Sequence, residues 1–249
     1  MRLIIDGFRD PYENMALDEA MLILRQENKI PDTLRLYRWR PSSVTIGYFQ
    51  KIREVVNLEY ANLMKIPVVR RITGGGAVYH DELGEITYAI VMRVRKGYED
   101  IEESYRRICR ALIYALESIG LKPMFKSVND IIVNGKKISG SAQIRRRNVL
   151  LQHGTLLVSS NLEVMGKVLK PPKIKLKAHG VVNIKEWVTA VSIALGRYVK
   201  PEELIQPLVE GFKKALKVDL IQEALTEEEI GLANKLKSKY KSREWNFLR

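Results

Sequence analysis

The chain has 249 residues, of which 46% are hydrophobic, and its 42 Lys and Arg against 29 Asp and Glu give a formal net charge of +13. This composition suffices for one large domain and favours acidic partners such as nucleotides, nucleic acid or an acidic protein. The single cysteine, Cys109, excludes an intrachain disulfide and a multi-cysteine zinc site, and no segment approaches the ~20 apolar residues of a membrane span.

The first half of the chain alternates between helical and strand patterns. Apolar residues recur at helical spacing, or alternate with polar ones, in a series of short segments. These predict helices at 14–28, 57–65 and 100–120 and strands at 33–39, 43–49 and 85–94. Within 43–49, Gly47 indicates a bulge or a close approach of two backbones.

The second half predicts a hairpin over 130–140 that turns at Asn134-Gly135, a strand at 149–159, and helices at 200–217 and 226–242. Thr226 and Glu229 form a capping box at the last helix, and Pro207 should kink or divide the helix before it. Several strands with few intervening helices predict an α/β protein of the α+β type, with mixed, largely antiparallel sheets flanked by helices. We see no linker, so we expect a single domain over 1–249 that includes the helical segment 200–249.

The segment RRITGGGAVYHD, residues 70–81, places two arginines before three glycines and a His-Asp pair after them. It is neither G-x-G-x-x-G nor G-K-[ST], so a dinucleotide fold and a P-loop are not supported. An arginine fork matches phosphate or carboxylate, and the N–H groups of a glycine turn can add an anion-binding nest. The segment therefore predicts an anion site.

The segment VNDIIVNGKKISGSAQ contains two adjacent lysines, Lys136 and Lys137, after the hairpin turn. Both can be solvated turn residues. Alternatively, since neighbouring strand residues face opposite ways, Lys137 points inward to a phosphate and Asp130 holds Mg²⁺. The residues alone leave both interpretations open.

The histidines and the cysteine are weaker signals. His153 is a lone strand histidine, which is more often structural than functional. A zinc triad of His80, His153 and His179 is disfavoured, because no two of them are spaced for one helix face. Cys109 adjoins the apolar stripe of the helix at 100–120, so we predict core packing rather than a nucleophile.

Several motifs occur in an order that resembles one known family. They are NMALDE, WRPSSVTIGYFQ, RRITGGGAVYHD, NDI with KKISGSAQ, and QHGTLLV. In this order they resemble the lipoate–protein ligase A family of the biotin/lipoate ligase superfamily. The resemblance extends from Asn14 to Thr189, with a similar helical ending around YKSREWNF. It implies an enzyme that activates lipoate with ATP and Mg²⁺ to lipoyl-AMP and then transfers the lipoyl group to a lysine of an acceptor domain.

The resemblance also implies a set of site residues. Lys137 aligns with the catalytic lysine of the family, and Asp130 with the metal-binding residue. The substrate- and adenylate-binding residues would be Arg70, Gly75, Gly76, Ala77, Val78, His80, Asn129, Ser139, Ala142, His153 and Gly154. The acceptors would be the glycine-cleavage H protein or a 2-oxoacid dehydrogenase E2. The chain stops where longer ligases begin an extra C-terminal domain, so we expect a separate small subunit to supply that lid.

Some departures keep alternatives open. Trp187 and Ala190 replace the usual Arg and Asn of the family. Octanoyltransferases of the superfamily place a nucleophilic Cys in the segment equivalent to KSVNDI, which here has Asn-Asp. The alternatives are an octanoyl or lipoyl transferase that uses Cys109, a biotin ligase, and a basic nucleic-acid-binding module.

The remaining expectations concern binding partners, cellular location and growth temperature. The basic clusters at 143–148 and 170–180 lack interleaved aromatic residues, so we expect no nucleic-acid partner. The N-terminal apolar run is too short for a signal peptide, so we expect a cytoplasmic protein with no membrane partner. The Lys- and Glu-rich composition is also typical of thermophiles.

Overall fold

The computed structural model describes residues 1–126, 128–170 and 184–249. The strands are β1 (Arg2–Arg9), β2 (Thr33–Trp39), β3 (Ser43–Ile46), β4 (Val68–Arg70), β5 (Val78–His80), β6 (Glu85–Arg93), β7 (Pro123–Lys126), β8 (Asp130–Val133), β9 (Lys136–Arg146), β10 (Val149–Leu157) and β11 (Ile221–Gln222). The helices are α1 (Pro11–Gln26), α2 (Ile52–Val55), α3 (Leu58–Leu63), α4 (Ile101–Ser118), α5 (Leu162–Val168), α6 (Ile184–Trp187), α7 (Val191–Leu195), α8 (Ile205–Leu216), α9 (Glu227–Lys241) and α10 (Arg243–Asn246), with a 3₁₀ turn over Pro201–Leu204. His179 and nearly all of the predicted basic cluster at 170–180 lie outside the described residues.

Two sheets organise these elements. The large sheet has the strand order β11-β1-β2-β6-β10-β9-β8-β7, in which β1 runs parallel to β2 and β11 and the other pairs are antiparallel. In the small sheet, β3 lies between β4, which is parallel to it, and β5, which is antiparallel. The predicted class, mixed and largely antiparallel sheets flanked by helices, is confirmed.

The large sheet is covered by helices on both faces because β6 is apolar on both faces. Ile86, Tyr88 and Ile90 pack in one core with α4 and α8, whereas Ala89 and Val91 pack in a second core with α1 and α9. A third core joins the small sheet to α5. No helix among the described residues is long and apolar enough to cross a bilayer.

The elements missed from the sequence are short or irregular. β1 was read only as a brief apolar run, and β7 is a four-residue edge strand that begins with a proline. The predicted helix at 200–217 is divided into a 3₁₀ turn over Pro201–Leu204 and α8. Pro207 does not kink the interior of α8, because it lies in the first turn, where its missing N–H would have no intrahelical partner.

The predicted close approach at Gly47 is confirmed. A Cβ built on Gly47 would lie 2.1 Å from the carbonyl oxygen of Gly75. The loop after β3 therefore lies directly against the glycine loop that follows β4, and this contact requires glycine at position 47.

Candidate active site

A cavity of about 530 Å³ lies between the two sheets. Polar side chains from both sheets line it, and two apolar regions flank them. Met15, Tyr37 and Trp39 belong to the core under α1. The other region belongs to the core of the small sheet and consists of Val55, Leu157, Met165, Leu169 and Val188. Such a cavity suits a ligand with an apolar tail and a charged group.

Lys137 reaches the cavity from the β8–β9 hairpin. Asn134 and Gly135 both have positive φ, as a two-residue I′ turn requires, and Lys136 is exposed beside it. The Nζ atom of Lys137 lies 2.6 Å from Oδ1 of Asp130 and 5.4 Å from the ring centre of Trp187. The hairpin therefore directs Lys137, but not Lys136, into the cavity, as the alternation predicts.

Gly140 makes room for this lysine. A Cβ at position 140 would lie 2.6 Å from the Nζ atom of Lys137 and 3.4 Å from Oδ1 of Asp130. The small residues of β9 thus leave a channel along which the lysine side chain lies. On the same strand, Ala142 also lines the cavity.

Asp130 is suited to a metal ion that arrives with phosphates. Its Oδ1 atom is buried and accepts no hydrogen bond of ordinary geometry beside the ion-pair contact with Lys137. Mg²⁺ commonly uses one or two carboxylates and completes its shell with water and substrate phosphates. Within the described ranges, no three His, Cys, Asp or Glu side chains converge on a metal position.

Arg71 is a cavity residue that the sequence analysis did not assign. It is buried, and its Nη2 atom donates to the carbonyls of Gly74 at 2.6 Å and Gly76 at 2.8 Å. Its Nε donates to Thr73 and its Nη1 to Thr45, so four hydrogen bonds serve the five N–H groups of the guanidinium. Burial lowers the pKa of Arg71 to about 10, which still leaves it charged at neutral pH. Within the part of the chain that the structure describes, no carboxylate forms an ion pair with Arg71, so its charge is available to a ligand.

The structure does not bring Arg70, an expected site residue, to the cavity. Among the described residues, its guanidinium donates only to backbone carbonyls, those of Gly47, Tyr48, Gln50, Trp245 and Asn246. Arg70 ends β4, and adjacent residues of extended chain point to opposite sides, so Arg71 faces the cavity and Arg70 faces α10. Arg70 fastens α10 to the loop after β3.

The other predicted residues of the glycine loop line the cavity, namely Gly75, Gly76, Ala77, Val78 and His80. Gly75 has φ +89°, and a Cβ there would lie 3.0 Å from Nη2 of Arg71. Gly76 has no positive φ and no atom within 4 Å of its built Cβ. The backbone therefore needs glycine at position 75, whereas at position 76 only a ligand could need it.

These two glycines make a testable pair. We expect Gly75→Ala to reduce both thermal stability and ligand binding. Alanine is strained at the positive φ of this position, and its Cβ would crowd the guanidinium of Arg71. We expect Gly76→Ala to keep the melting temperature of the wild type and to lose only binding. Thermal unfolding with and without lipoate and ATP measures both. A Gly76→Ala protein that is stabilised by the ligands as much as the wild type would show that this glycine contacts no ligand.

The strand residues predicted for the site also lie around the cavity. Asn129 donates through Nδ2 to the carbonyl of Ser141 and so closes the β8–β9 edge. Ser139 lines the cavity, but its register partners Ile131 and Leu156 belong to the core under α4, and its hydroxyl has no hydrogen-bond partner. Alternation thus indicates that Ser139 contributes its backbone to the cavity.

On β10, His153 and Gly154 line the cavity as well. Nδ1 of His153 lies 2.8 Å from Oδ2 of Asp18. A Cβ on Gly154 would lie 2.6 Å from the Tyr88 ring, so the packing of β10 on β6 requires this glycine independently of any ligand. His80 stacks on Trp39 with ring centres 3.9 Å apart.

Cys109 is buried in the core under α4, as predicted, and does not line the cavity. Its Sγ atom lies 3.6 Å from Oγ of Ser141, and burial raises the pKa of the thiol to about 11. A thiol with this pKa is protonated at neutral pH and is a poor nucleophile.

Comparisons with known proteins agree on the family but differ in the activity that the names of the relatives give. A family model described as the lipoyl protein ligase A/B catalytic domain matches residues 10–213. Octanoyltransferase LipM of Brevibacillus brevis is 32% identical over 100% of this chain and 99% of its own length. The bipartite lipoate protein ligase of Thermoplasma acidophilum, described with its E2 lipoyl domain, is 33% identical with a TM-score of 0.85 over 100% of this chain and 97% of its own. A lipoate–protein ligase A bound with ATP is 32% identical with a TM-score of 0.86 over 99% and 98%.

Proposed function

Since the chain belongs to the lipoyl protein ligase A/B catalytic domain family, we propose that it is a lipoate–protein ligase that activates lipoate with ATP. One observation carries this proposal. Four of the described lysine and arginine residues line the cavity, and two of them, Lys137 and Arg71, lie between two apolar regions, while the one thiol of the chain is sealed in a core. Cations at this position suit the joining of a carboxylate to a phosphate, and an acyl-adenylate needs no enzyme nucleophile.

In the first step, an oxygen of the lipoate carboxylate attacks the α-phosphorus of ATP, and the bond to the β-phosphate oxygen breaks to release pyrophosphate. Negative charge accumulates on the α-phosphate oxygens during this attack. The Lys137 ammonium and the free N–H of Arg71 are fixed donors that stabilise this charge. Asp130 would hold Mg²⁺, which screens the phosphate charges when bound.

In the second step, the lysine amine of an acceptor domain attacks the lipoyl carbonyl. The bond to the phosphate oxygen breaks, AMP leaves with the electron pair, and the amine gives its proton to solvent. Lys137 stabilises the oxyanion that forms on the carbonyl. The apolar regions hold the tail and keep water from the mixed anhydride.

The acceptor in this proposal is a lipoyl domain, either of the E2 kind that is described with the Thermoplasma ligase or an H protein. Such a domain is expected to be acidic, and the net charge of +13 would steer its approach. The similarity to a bipartite ligase over 97% of that chain supports a further part of the proposal, namely that a separate small subunit completes the transfer activity.

A second candidate is an octanoyltransferase, which the name of the Brevibacillus relative favours. A transferase that carries its acyl group on an enzyme thiol would need Cys109. That thiol is buried and protonated, and it lies in the core under α4. The substitution Cys109→Ala therefore separates the two candidates.

We expect the wild type and Cys109→Ala to exchange pyrophosphate into ATP at the same rate in the presence of lipoate. The substitution removes only the small buried thiol and should lower the free energy of unfolding by roughly 1 kcal/mol. The measurement is lipoate-dependent ATP–pyrophosphate exchange, alongside an assay of octanoyl transfer from an octanoylated carrier protein. No exchange by the wild type, together with octanoyl transfer that Cys109→Ala abolishes, would replace the ligase proposal by the transferase.

A further inference from the structure

We propose that Thr45 and Thr73 are positioning residues that orient the Arg71 guanidinium toward the anionic group of the acyl substrate. Each threonine is in turn held by a histidine, and each histidine by a carboxylate. The inference rests on the proposed function in that the substrate carries a carboxylate. It adds a role for Thr45 and Thr73, which act through Arg71. The two chains of hydrogen bonds are here called the Thr73 arm and the Thr45 arm.

The Thr73 arm consists of Arg71, Thr73, His153 and Asp18. Nε of Arg71 donates to Oγ1 of Thr73 at 3.0 Å, and that oxygen lies 2.7 Å from Nε2 of His153. Nδ1 of His153 lies 2.8 Å from Oδ2 of Asp18. Asp18 is itself held by Tyr37 and Arg35, so the arm ends on a rigid anchor.

The Thr45 arm repeats this order with different residues. Nη1 of Arg71 donates to Oγ1 of Thr45 at 3.2 Å, and that oxygen lies 2.9 Å from Nε2 of His80. Nδ1 of His80 lies 2.7 Å from Oε1 of Glu85, which also accepts from Thr87. Both arms are buried along their whole length.

The direction of each hydrogen bond follows from the number of protons. An arginine N–H must donate, so each threonine oxygen accepts from Arg71. Among the described residues the histidine Nε2 is the one acceptor within reach of each buried threonine proton, so the arrangement that satisfies that proton points it to the histidine. Nε2 of each histidine must then accept, which leaves the ring proton on Nδ1, facing the carboxylate. Burial lowers the pKa of His153, which agrees with this pattern. Neither Nε2 atom is therefore free for proton transfer to the substrate.

The arms hold Arg71 without cancelling its charge. Arg35 pairs directly with Asp6 and Asp18, and Arg2 with Glu229. In the arms, by contrast, a hydroxyl and an imidazole separate each carboxylate from the guanidinium. The attraction falls with distance, so Arg71 is oriented firmly and yet keeps its charge for a ligand in the cavity.

The test compares Thr→Val, which removes the hydroxyl, with Thr→Ser, which keeps it, at positions 45 and 73. Calorimetry measures the dissociation constants of lipoate and of neutral lipoamide. We expect either valine variant to weaken lipoate binding by about tenfold or more, the scale of a lost hydrogen bond to a charged group, and to leave lipoamide binding unchanged. The serine variants should stay within about threefold of the wild type, since the hydrogen bonds persist.

Thr33→Val is a matched control. Thr33 is also buried and also accepts from an arginine Nε, that of Arg2 at 3.1 Å, but Arg2, unlike Arg71, does not line the cavity. This variant should lower the melting temperature and leave both dissociation constants unchanged. If one valine variant fails to fold, the variant of the other arm still tests the proposal.

The proposal is overturned if valine and serine variants bind lipoate equally well, if lipoamide binding falls in parallel, or if the wild type binds both ligands equally. Failure of the proposed function is a separate result. Suppose that the wild type prefers lipoate to lipoamide and that the valine variants bind lipoate more weakly than the serine variants, but that the wild type exchanges no pyrophosphate. This result would support the role of the two arms and refute only the ATP-dependent reaction.

Discussion

Lys137→Ala is expected to abolish the formation of lipoyl-AMP, while Lys136→Ala retains it. Removing one oriented donor from a site of developing charge costs roughly 3 kcal/mol or more, a rate loss of at least about a hundredfold. Lys137 is the partner of Asp130 at the cavity, whereas Lys136 is exposed on the hairpin turn. Single-turnover formation of lipoyl-AMP, followed by chromatography, measures the loss.

Lys137→Ala and Lys136→Ala each remove one positive charge, at neighbouring positions. Lys136→Ala therefore controls for the long-range electrostatic effect of losing a charge. Both variants should unfold at nearly the temperature of the wild type, because the Lys137–Asp130 pair is partly solvent-exposed and contributes little stability. Equal loss of activity in both variants would remove Lys137 from the assigned role.

The second large effect concerns the two arginines before the glycine loop. We expect Arg71→Gln to reduce lipoyl-AMP formation by about a hundredfold, because it removes the buried charge of the cavity. We expect Arg70→Gln to act on stability instead and to lower the free energy of unfolding by roughly 2–4 kcal/mol, because buried carbonyls lose their donors. Urea unfolding and single-turnover kinetics on both variants separate the two effects.

Glutamine is chosen at both positions because it keeps an amide donor while removing the charge. The kinetics of Arg70→Gln should be measured at a temperature where the variant is still fully folded. The reverse pattern, with Arg71→Gln unstable but active and Arg70→Gln stable but inactive, would contradict an orientation in which Arg71, and not Arg70, faces the cavity.

Much of the fold was predictable because its signals are local. The alternation of β2 and β6, the amphipathic spacing of α4 and the Asn134-Gly135 turn each depend on neighbouring residues only. The same locality predicted that Lys136 and Lys137 face opposite ways, although the residues alone did not decide whether Lys137 enters a site. Within a regular helix or strand, the order of neighbouring residues is enough to predict which side chains face the same way.

The site was less predictable where its contacts are long-range. Whether Arg70 or Arg71 faces the cavity depends on a strand of three residues, too short for a pattern, and on carbonyls of Trp245 and Asn246. The threonine arms join side chains from four separate parts of the chain. The spacing of residues within a motif does not predict that these distant side chains form hydrogen bonds with one another. The RRIT segment nevertheless contains two of them, Arg71 and Thr73.

The attachment of Arg70 to α10 has a consequence for the order of events on the ribosome. The side chain of Arg70 and the carbonyl of Trp245 that it binds are 175 residues apart in sequence. The glycine loop is thus synthesised long before the segment that fastens it, and pairing over such a separation is slow to form. The carbonyls of Trp245 and Asn246 can hold the Arg70 side chain only after these two residues have been synthesised and have packed beside β4.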